Sequence, residues 1–217
     1  MTRRFTENLY ATSKQGWRAR AASAVALRAR KHRHDQLFAL TGATRHTRIV
    51  DIGCGVLGLR RHAPDHDITG VDRVARPEYP GPLVVADVLE GLPFADGEFD
   101  LAYCSSVIEH IAPAQRAAFA AELRRVARGW YVQTPAYSFP IEPHALLPFA
   151  HWLPHAVRRP YWRLGVAGAW EEIELLRRAE MRELFGEPVA ERAGPLTKSW
   201  ISVRPADATA PGSVAAA

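Results

Sequence analysis

The chain has 217 residues, of which 47% are apolar, and this length and composition suit one domain with a single buried core. The formal net charge of +5 is unevenly spread. Residues 1–48 hold eleven Lys or Arg and two acids, whereas the rest of the chain holds 17 Lys or Arg and 21 acids. This asymmetry argues against a uniformly basic nucleic-acid binder and places the positive charge on an N-terminal segment.

Cysteine usage and the absence of long apolar runs predict a compartment. Cys54 and Cys104 are the only cysteines, and each follows an apolar stretch typical of a buried strand, which indicates free thiols in a reducing environment. The first 20 residues hold no apolar stretch of signal-peptide length, and no window reaches the roughly 18 apolar residues needed to span a bilayer. We therefore expect a cytoplasmic protein.

The first half of the chain alternates short apolar runs with helical patterns. Residues 15–40 predict one or two helices, which "TGAT" ends at residues 41–44. Four strands are then predicted in "RIVDIGCG", "DITGVDRV", "LVVADVLE" and "FDLAYCSSVIEHI". Short strands that alternate with helices predict an α/β fold with a doubly wound, parallel sheet.

The second half continues this alternation and then departs from it. A helix is predicted over residues 113–128, ended by Gly129, followed by a fifth strand in "GWYVQTPA". Residues 137–168 are rich in proline and aromatic residues and too long for an ordinary connection, which predicts a lid insertion. A helix over residues 171–185 and an antiparallel hairpin of "PVAERAG" with "KSWISVR" would close the fold.

These elements predict three parts of the chain. Residues 1–47 form a basic helical segment, residues 48–205 form the main domain with its insertion, and residues 206–217 form a disordered tail.

The stretch "IVDIGCGVLGLR" fits two kinds of cofactor loop. Gly53, Gly55 and Gly58 have the G-x-G-x-x-G spacing by which dinucleotide-binding proteins approach a pyrophosphate. Only eight residues separate Gly58 from the second strand, so any helix there is too short to carry a phosphate at its N-terminus. The alternative is an acidic turn, Asp51-x-Gly53-x-Gly55, that holds a cofactor without phosphate.

Acidic residues after the first three strands suit such a cofactor. Asp51 can organise the turn and meet an ammonium group, and Asp72 can accept two hydrogen bonds from a ribose diol. Asp87 can accept from an adenine amino group while the amide of Val88 donates to the ring.

The ordered motifs "VDIGCG", "GVD", "ADVLEGLPFADGEFDLAYCSSVIEHI" and "LTKSWISVR" resemble the class I S-adenosylmethionine-dependent methyltransferases of the type 11 family. The resemblance covers roughly residues 48–204 and implies a Rossmann-like sheet of seven strands whose last strand is antiparallel. It also implies S-adenosylmethionine as cofactor. The chain departs from the family in having Leu57 where a third glycine is common. The cofactor contacts that we predict are Asp51, Gly53, Cys54, Gly55, Asp72, Arg73, Asp87, Val88 and Ser105.

Glu142 and His144 are the candidate catalytic residues. They are separated by a proline that favours extended backbone, so their side chains point to the same side and can form a carboxylate-oriented base. An alternative is that they only tie the insertion to the sheet. Predicted contacts to the acceptor are Ser106, His110, Tyr137 and His151.

Several residues near these candidates also have plainer roles. Glu109 and His110 can simply hold the helix that follows the fourth strand, and a packing role suits His151. A zinc site from Glu142, His144 and His151 lacks paired cysteines or an H-E-x-x-H pattern, so no metal is predicted.

The predicted function is methyl transfer to a small-molecule acceptor, at oxygen, with a hydrophobic or lipid-linked acceptor suggested by the insertion. The mixture of leucine, tryptophan and arginine in the insertion and around Trp17 also fits peripheral contact with a membrane, or a helix packed across the cofactor. Nucleic acid is disfavoured, because "CSSV" stands where adenine methyltransferases use Asn or Asp before Pro-Pro. A nicotinamide-dependent oxidoreductase and a non-catalytic cofactor-binding partner protein are the alternatives.

Overall fold

A computed structural model describes residues 31–56, 58–167, 170 and 172–206 of the chain. Its main element is a sheet of seven strands in the spatial order β3-β2-β1-β4-β5-β9-β8. These strands are β1 (Ile49–Ile52), β2 (Ile68–Asp72), β3 (Leu83–Val85), β4 (Phe99–Ser105), β5 (Ala127–Pro135), β8 (Val189–Ala193) and β9 (Leu196–Arg204). A separate hairpin consists of β6 (Ile141–Glu142) and β7 (Leu147–Pro148).

The pairing of the strands confirms the predicted Rossmann-like sheet. Strands β1 to β5 are parallel to one another, whereas β9 runs antiparallel to both β5 and β8. The hairpin predicted to close the fold is therefore β8 with β9, and the last strand is antiparallel as expected.

Burial on both faces explains why the central strands read as continuous apolar runs. All four residues of β1 are buried, and alternate residues enter opposite cores. Val50 and Ile52 belong to one hydrophobic cluster, whereas Ile49 belongs to the other. The second of these clusters includes Leu37 from the helix that spans residues 31–41. The prediction of helix over residues 15–30 lies outside the described residues, as does almost all of the predicted disordered tail.

The helix that spans residues 31–41 is α1. Three further helices are α2 (Arg116–Val126), α3 (His155–Trp162) and α4 (Arg178–Phe185). The prediction that Gly129 ends the helix before the fifth strand was wrong, because α2 ends at Val126 and Gly129 lies inside β5. A Cβ atom at Gly129 would lie 2.4 Å from the backbone oxygen of Arg204, so this glycine allows β5 and the chain after β9 to approach closely.

The helix predicted over residues 171–185 is also shorter than expected. Residues 172–177 are not helical, and Leu176 forms a parallel bridge with Ala136. Ile173 and Leu175 are both buried, and this period of two is typical of extended chain. The helical pattern was therefore correct only from Arg178 onward.

The insertion at residues 137–168 has a core of its own. It contains the hairpin of β6 and β7, a short 3₁₀ turn at Ala150–Trp152, and α3. Leu147 and Trp162 pack in a cluster with Ile173 and Leu175 from the segment that precedes α4. The insertion is thus anchored to the main domain from its C-terminal side. Among the described residues, no helix is long and apolar enough to cross a membrane.

Arg116 joins α2 to the segment that follows the insertion. Its guanidinium donates to the backbone oxygens of Ile111 and Glu174, at 3.0 and 2.6 Å, and pairs with Glu180 at 2.6 Å. The Arg116 side chain is only 3% exposed, whereas the side chain of Glu180 is 32% exposed.

Replacing this buried cation should destabilise the fold far more than replacing an exposed one. We expect Arg116→Met to lower the free energy of unfolding by about 3–5 kcal/mol, because it leaves a carboxylate and two carbonyls without their donor. Arg128→Met is the matched control, since Arg128 pairs with Asp100 at 2.8 Å but is 54% exposed. That control should cost less than about 1 kcal/mol. Urea unfolding measures both, and equal losses would contradict the assigned role of Arg116.

Candidate active site

The carboxyl group of Asp51 fixes the glycine loop that follows β1. Its Oδ2 accepts a hydrogen bond from the amide of Leu59 at 2.6 Å, and the carboxyl group is 2% exposed. Gly53 and Gly55 have positive φ angles of 70° and 57°, a conformation that favours glycine. The predicted role of Asp51 in organising the turn thus corresponds to its hydrogen bond with the amide of Leu59, at the C-terminal end of the loop.

The loop leaves room for a ligand at Gly55. A Cβ atom at this residue would meet no heavy atom within 4 Å, so the backbone faces open space. At Gly53 a Cβ atom would instead lie 2.5 Å from the Val107 side chain, because the loop after β4 crosses close to it. The Cys54 side chain is buried, and its backbone amide and carbonyl bond to Val71 and Gly58.

Asp72 stands at the end of β2, beside the glycine loop. Its Oδ2 accepts from the amide of Gly55 at 3.0 Å and its Oδ1 from the amide of Val74 at 2.9 Å. The guanidinium of Arg76 also donates to Oδ2, at 3.3 Å. Two carboxylate oxygens offer about four lone pairs, so a ribose diol would find its two acceptors once Arg76 moves aside. Arg73, predicted as a cofactor contact, is exposed.

The other predicted cofactor residues lie after β3 and β4. Asp87 caps the 3₁₀ turn Val88–Glu90 by accepting from the amide of Leu89 at 2.9 Å, and Val88 is buried. Ser105 donates its hydroxyl to Oε1 of Gln133 at 2.7 Å. Ser106, predicted to contact the acceptor, has a positive φ of 57° and donates to the same oxygen at 3.3 Å.

Glu142 and His144 form the predicted pair within the insertion. Nδ1 of His144 lies 2.6 Å from Oε1 of Glu142, and the other oxygen of Glu142 accepts from the amide of Ala145 at 2.6 Å. The side chains are 3% and 6% exposed. With its proton on Nδ1, the imidazole donates to Glu142, and Nε2 carries the lone pair.

That lone pair points toward the end of β4. Nε2 of His144 lies 3.8 Å from Oε1 of Glu109, and the centroids of the His110 and His144 rings are 5.1 Å apart. Glu109 is 1% exposed, and its second oxygen accepts from the Thr134 hydroxyl at 3.0 Å. Burial raises the pKa of Glu109, and lowers the pKa of His110 to about 3. Sequence reasoning favoured a structural role for Glu109 over a catalytic one and did not single out Thr134, since the insertion had to be placed first.

Glu109, His110 and His144 form a different candidate metal-ligand set from the one considered from the sequence. Ligand atoms of Glu109, His110 and His144 all lie within 4.8 Å of one another, and this is the one such group of three among the described residues. His151, which the sequence grouped with Glu142 and His144, instead places Nε2 2.9 Å from the backbone oxygen of Tyr137.

Tyr137 and His151, predicted to contact the acceptor, are both engaged within the insertion. The Arg177 guanidinium lies 3.8 Å above the centre of the Tyr137 ring. His151 is 5% exposed and meets Tyr137 edge to face, with ring centroids 5.5 Å apart. Both residues therefore support the wall of the candidate site.

The dinucleotide alternative lacks its phosphate site. Residues 58–62 form turns and no helix follows the glycine loop, so no helix N-terminus faces it. Gly55 in open space beside the partly buried Asp72 fits a cofactor held by backbone and ribose contacts.

Comparisons with known proteins agree with this fit. Residues 50–129 match the family model described as a methyltransferase domain. No curated protein is significantly similar in sequence. The fold is similar to those of solved structures that share little sequence identity with this chain.

Magnesium protoporphyrin IX methyltransferase from Synechocystis PCC 6803, with bound S-adenosylhomocysteine, is 14% identical, with a TM-score of 0.56 and coverage of 90% of this chain and 89% of that one. The Burkholderia thailandensis 1,6-didemethyltoxoflavin-N1-methyltransferase is 15% identical, with a TM-score of 0.53 and coverage of 89% and 91%. An S-adenosylmethionine-dependent methyltransferase from Methanosarcina mazei is 15% identical, with a TM-score of 0.50 and coverage of 74% and 92%.

The buried Asp51 should make stability fall as pH rises. Burial raises its pKa to about 7; the Leu59 amide opposes the shift, and the charge of Asp72 adds to it. The unfolded residue has a pKa of about 3.9, so between about pH 4 and 7 the folded state binds a proton that the unfolded state has lost. The stabilisation is complete below this window and is lost across it.

Urea unfolding at several pH values tests this linkage. We expect Asp51→Asn, which keeps an oxygen to accept from Leu59, to lose less stability than the wild type between pH 4 and 7. An identical pH dependence in both proteins would assign the proton to another group.

Proposed function

We propose that this chain, an S-adenosylmethionine-dependent methyltransferase of class I, transfers a methyl group to an oxygen of a small, hydrophobic or lipid-linked acceptor. The observation that carries the choice of oxygen is the buried pair of Glu142 and His144, which presents one imidazole nitrogen toward the end of β4. A hydroxyl acceptor needs its proton removed during transfer, whereas an amine needs less help.

The cofactor supplies a methyl group on a positively charged sulfur, already activated for in-line displacement. The chain's own residues then have to bind, align and exclude water. Asp72 and the backbone of Gly53 and Gly55 would hold the ribose and methionine portions, with Asp87 and Val88 at the adenine. His144 would accept the acceptor's proton at Nε2, and Glu142 would stabilise the resulting imidazolium through Nδ1.

The chemistry around His144 supports this division of roles. Glu142 holds the imidazole through Nδ1, which sets both its orientation and its tautomer. The charge of the resulting imidazolium would also be favoured by Glu109, 3.8 Å from Nε2. His110 stays neutral near neutral pH because burial lowers its pKa to about 3, so it would not repel that charge.

Apolar side chains on the insertion support a hydrophobic acceptor. Tyr137, Phe149 and Trp152 lie in the segment that carries Glu142 and His144, and the last two are about half exposed. A hydrophobic acceptor that reaches the site past the insertion would meet these aromatic surfaces before the base.

Calorimetric titration with S-adenosylhomocysteine tests the cofactor site. We expect Asp72→Ala to weaken binding about 10- to 100-fold, because a carboxylate that accepts from two hydroxyls is lost. Asp67→Ala is the matched control, since Asp67 is an exposed acid just before β2, at the opposite end of that strand from Asp72. NADH should not bind. Binding of NADH alone would favour the oxidoreductase, and wild-type affinity in Asp72→Ala would contradict the assigned ribose contact.

Turnover of a panel of hydroxylated hydrophobic compounds tests the base. We expect His144→Gln to lower kcat about 10²- to 10⁴-fold while affinity for S-adenosylhomocysteine is unchanged. Glu142→Gln should lose less, since it only orients the base. His155→Gln is the control, because His155 is largely exposed on α3.

Three other outcomes would change the proposal. Loss of wild-type activity on chelation would make Glu109, His110 and His144 a metal centre. Methylation of amines alone would overturn the choice of oxygen. Tight cofactor binding without turnover of any acceptor would favour the partner protein.

A further inference from the structure

Exposed apolar side chains are concentrated on the insertion. The described residues include nine large hydrophobic side chains that are exposed, and five of them lie within residues 146–164. These five are Leu146 (43% exposed), Phe149 (52%), Trp152 (43%), Val157 (49%) and Leu164 (74%). Scattered exposed apolar residues are ordinary, whereas such a concentration on one short segment marks a surface that meets an apolar phase.

These side chains are not the remains of an incomplete core. The insertion already buries a different set, including Leu147, Ala150 and Trp162, in its own cluster. On α3, Trp162 points inward at 4% exposure. At 3.6 residues per turn, Val157 lies about 140° around the axis of α3 from Trp162, and Leu164 is exposed two residues after α3 ends. The apolar outer face is therefore additional to the packed inner face.

The backbone also presents two of these side chains to solvent. Leu146 and Phe149 have positive φ angles of 52° and 57°, and they are two of the three non-glycine residues with positive φ in the described chain. A left-handed conformation is unfavourable for such side chains. Phe149 then packs on Trp152, with ring centroids 5.3 Å apart, and forms an exposed aromatic pair.

The charge of the insertion indicates what kind of surface its apolar side chains contact. Between Glu142 and Glu171 the sequence has no acidic residue and three arginines, Arg158, Arg159 and Arg163. Arg159, on α3, and Arg163, directly after it, are both exposed. The N-terminal segment is a poor partner for this surface, because residues 1–30 hold seven Lys or Arg and one acid. An anionic partner is required, and leucine, aromatic and arginine side chains together suit the headgroup region of a bilayer.

We propose that the outer face of the insertion, formed by Leu146, Phe149, Trp152, Val157 and Leu164 with Arg159 and Arg163, docks on an anionic lipid bilayer. The same insertion carries Glu142 and His144, so docking would place the base next to the surface from which a lipid-linked acceptor leaves. The docking step does not depend on the proposed methyl transfer, and its test requires no acceptor.

Co-sedimentation with vesicles tests the proposal. We expect the full-length protein to bind vesicles of phosphatidylcholine mixed with phosphatidylglycerol, and to bind phosphatidylcholine vesicles at least about tenfold more weakly. The double variant Phe149→Ser with Leu164→Ser should lose at least about tenfold in affinity for the mixed vesicles. The matched control is Val189→Ser with Leu196→Ser, which removes two exposed apolar side chains from β8 and β9 and should leave binding unchanged.

A variant that lacks two arginines tests the contribution of charge. Arg159→Ser with Arg163→Ser should weaken binding to the mixed vesicles and make it less sensitive to salt. Affinity for S-adenosylhomocysteine shows that each variant is folded. Wild-type binding by the Phe149 and Leu164 variant would assign membrane contact to the N-terminal segment and overturn the proposal. No vesicle binding by the wild type, or equal binding to both lipid mixtures, would overturn it as well.

Discussion

Parallel strands place their carboxyl ends at one edge of the sheet, and the rest of the site depends on this constraint. Asp51, Asp72 and Glu109 come from β1, β2 and the turn after β4, and all three have little exposed surface. Buried carboxylates are costly unless donors surround them. Here the donors are the Leu59 and Gly55 amides and the Thr134 hydroxyl, so each acid fixes the position of another part of the chain.

The acids on the two halves of this sheet edge are bonded to different kinds of donor, and this distinguishes the two halves. On the side of β1 and β2 the donors are mostly backbone amides, which fix the shape of the glycine loop. On the side of β4 and β5, Nε2 of His144, which belongs to the insertion, lies 3.8 Å from Glu109. The proposed acceptor side therefore depends on the contact between the insertion and the sheet, whereas the residues proposed to hold the cofactor lie outside the insertion.

The sequence predicted the sheet correctly because it depends on local signals, and the residues proposed to hold the cofactor follow from the same signals. Strand, glycine turn and terminal acid lie within a few residues of one another, as in Ile49 to Gly55. The pairing of Glu142 with His144 was predicted for the same reason, since only two residues separate them. Glu109, Thr134 and Arg116 act across 25 to 64 residues of sequence, so no local pattern identified them.

The errors have the same physical origin. A glycine at position 129 is typical of a helix end, but its pairing with Leu101 of β4 makes it part of a strand. The residues before Arg178 have helical propensity, yet the pairing of Leu176 with Ala136 and the burial of Ile173 and Leu175 keep them extended. In both cases a tertiary contact outweighed the local preference.

The ion pair between Arg76 and Asp72 would compete with the ribose contact proposed for Asp72. A ribose that took both oxygens of Asp72 would displace the guanidinium of Arg76, so its affinity would be the difference between the two pairings. Until then the arginine keeps the carboxylate in place and shields it from stray cations. Arg76 would thus act as an internal substitute for the ligand, and its release, rather than any movement of the sheet, would accompany binding.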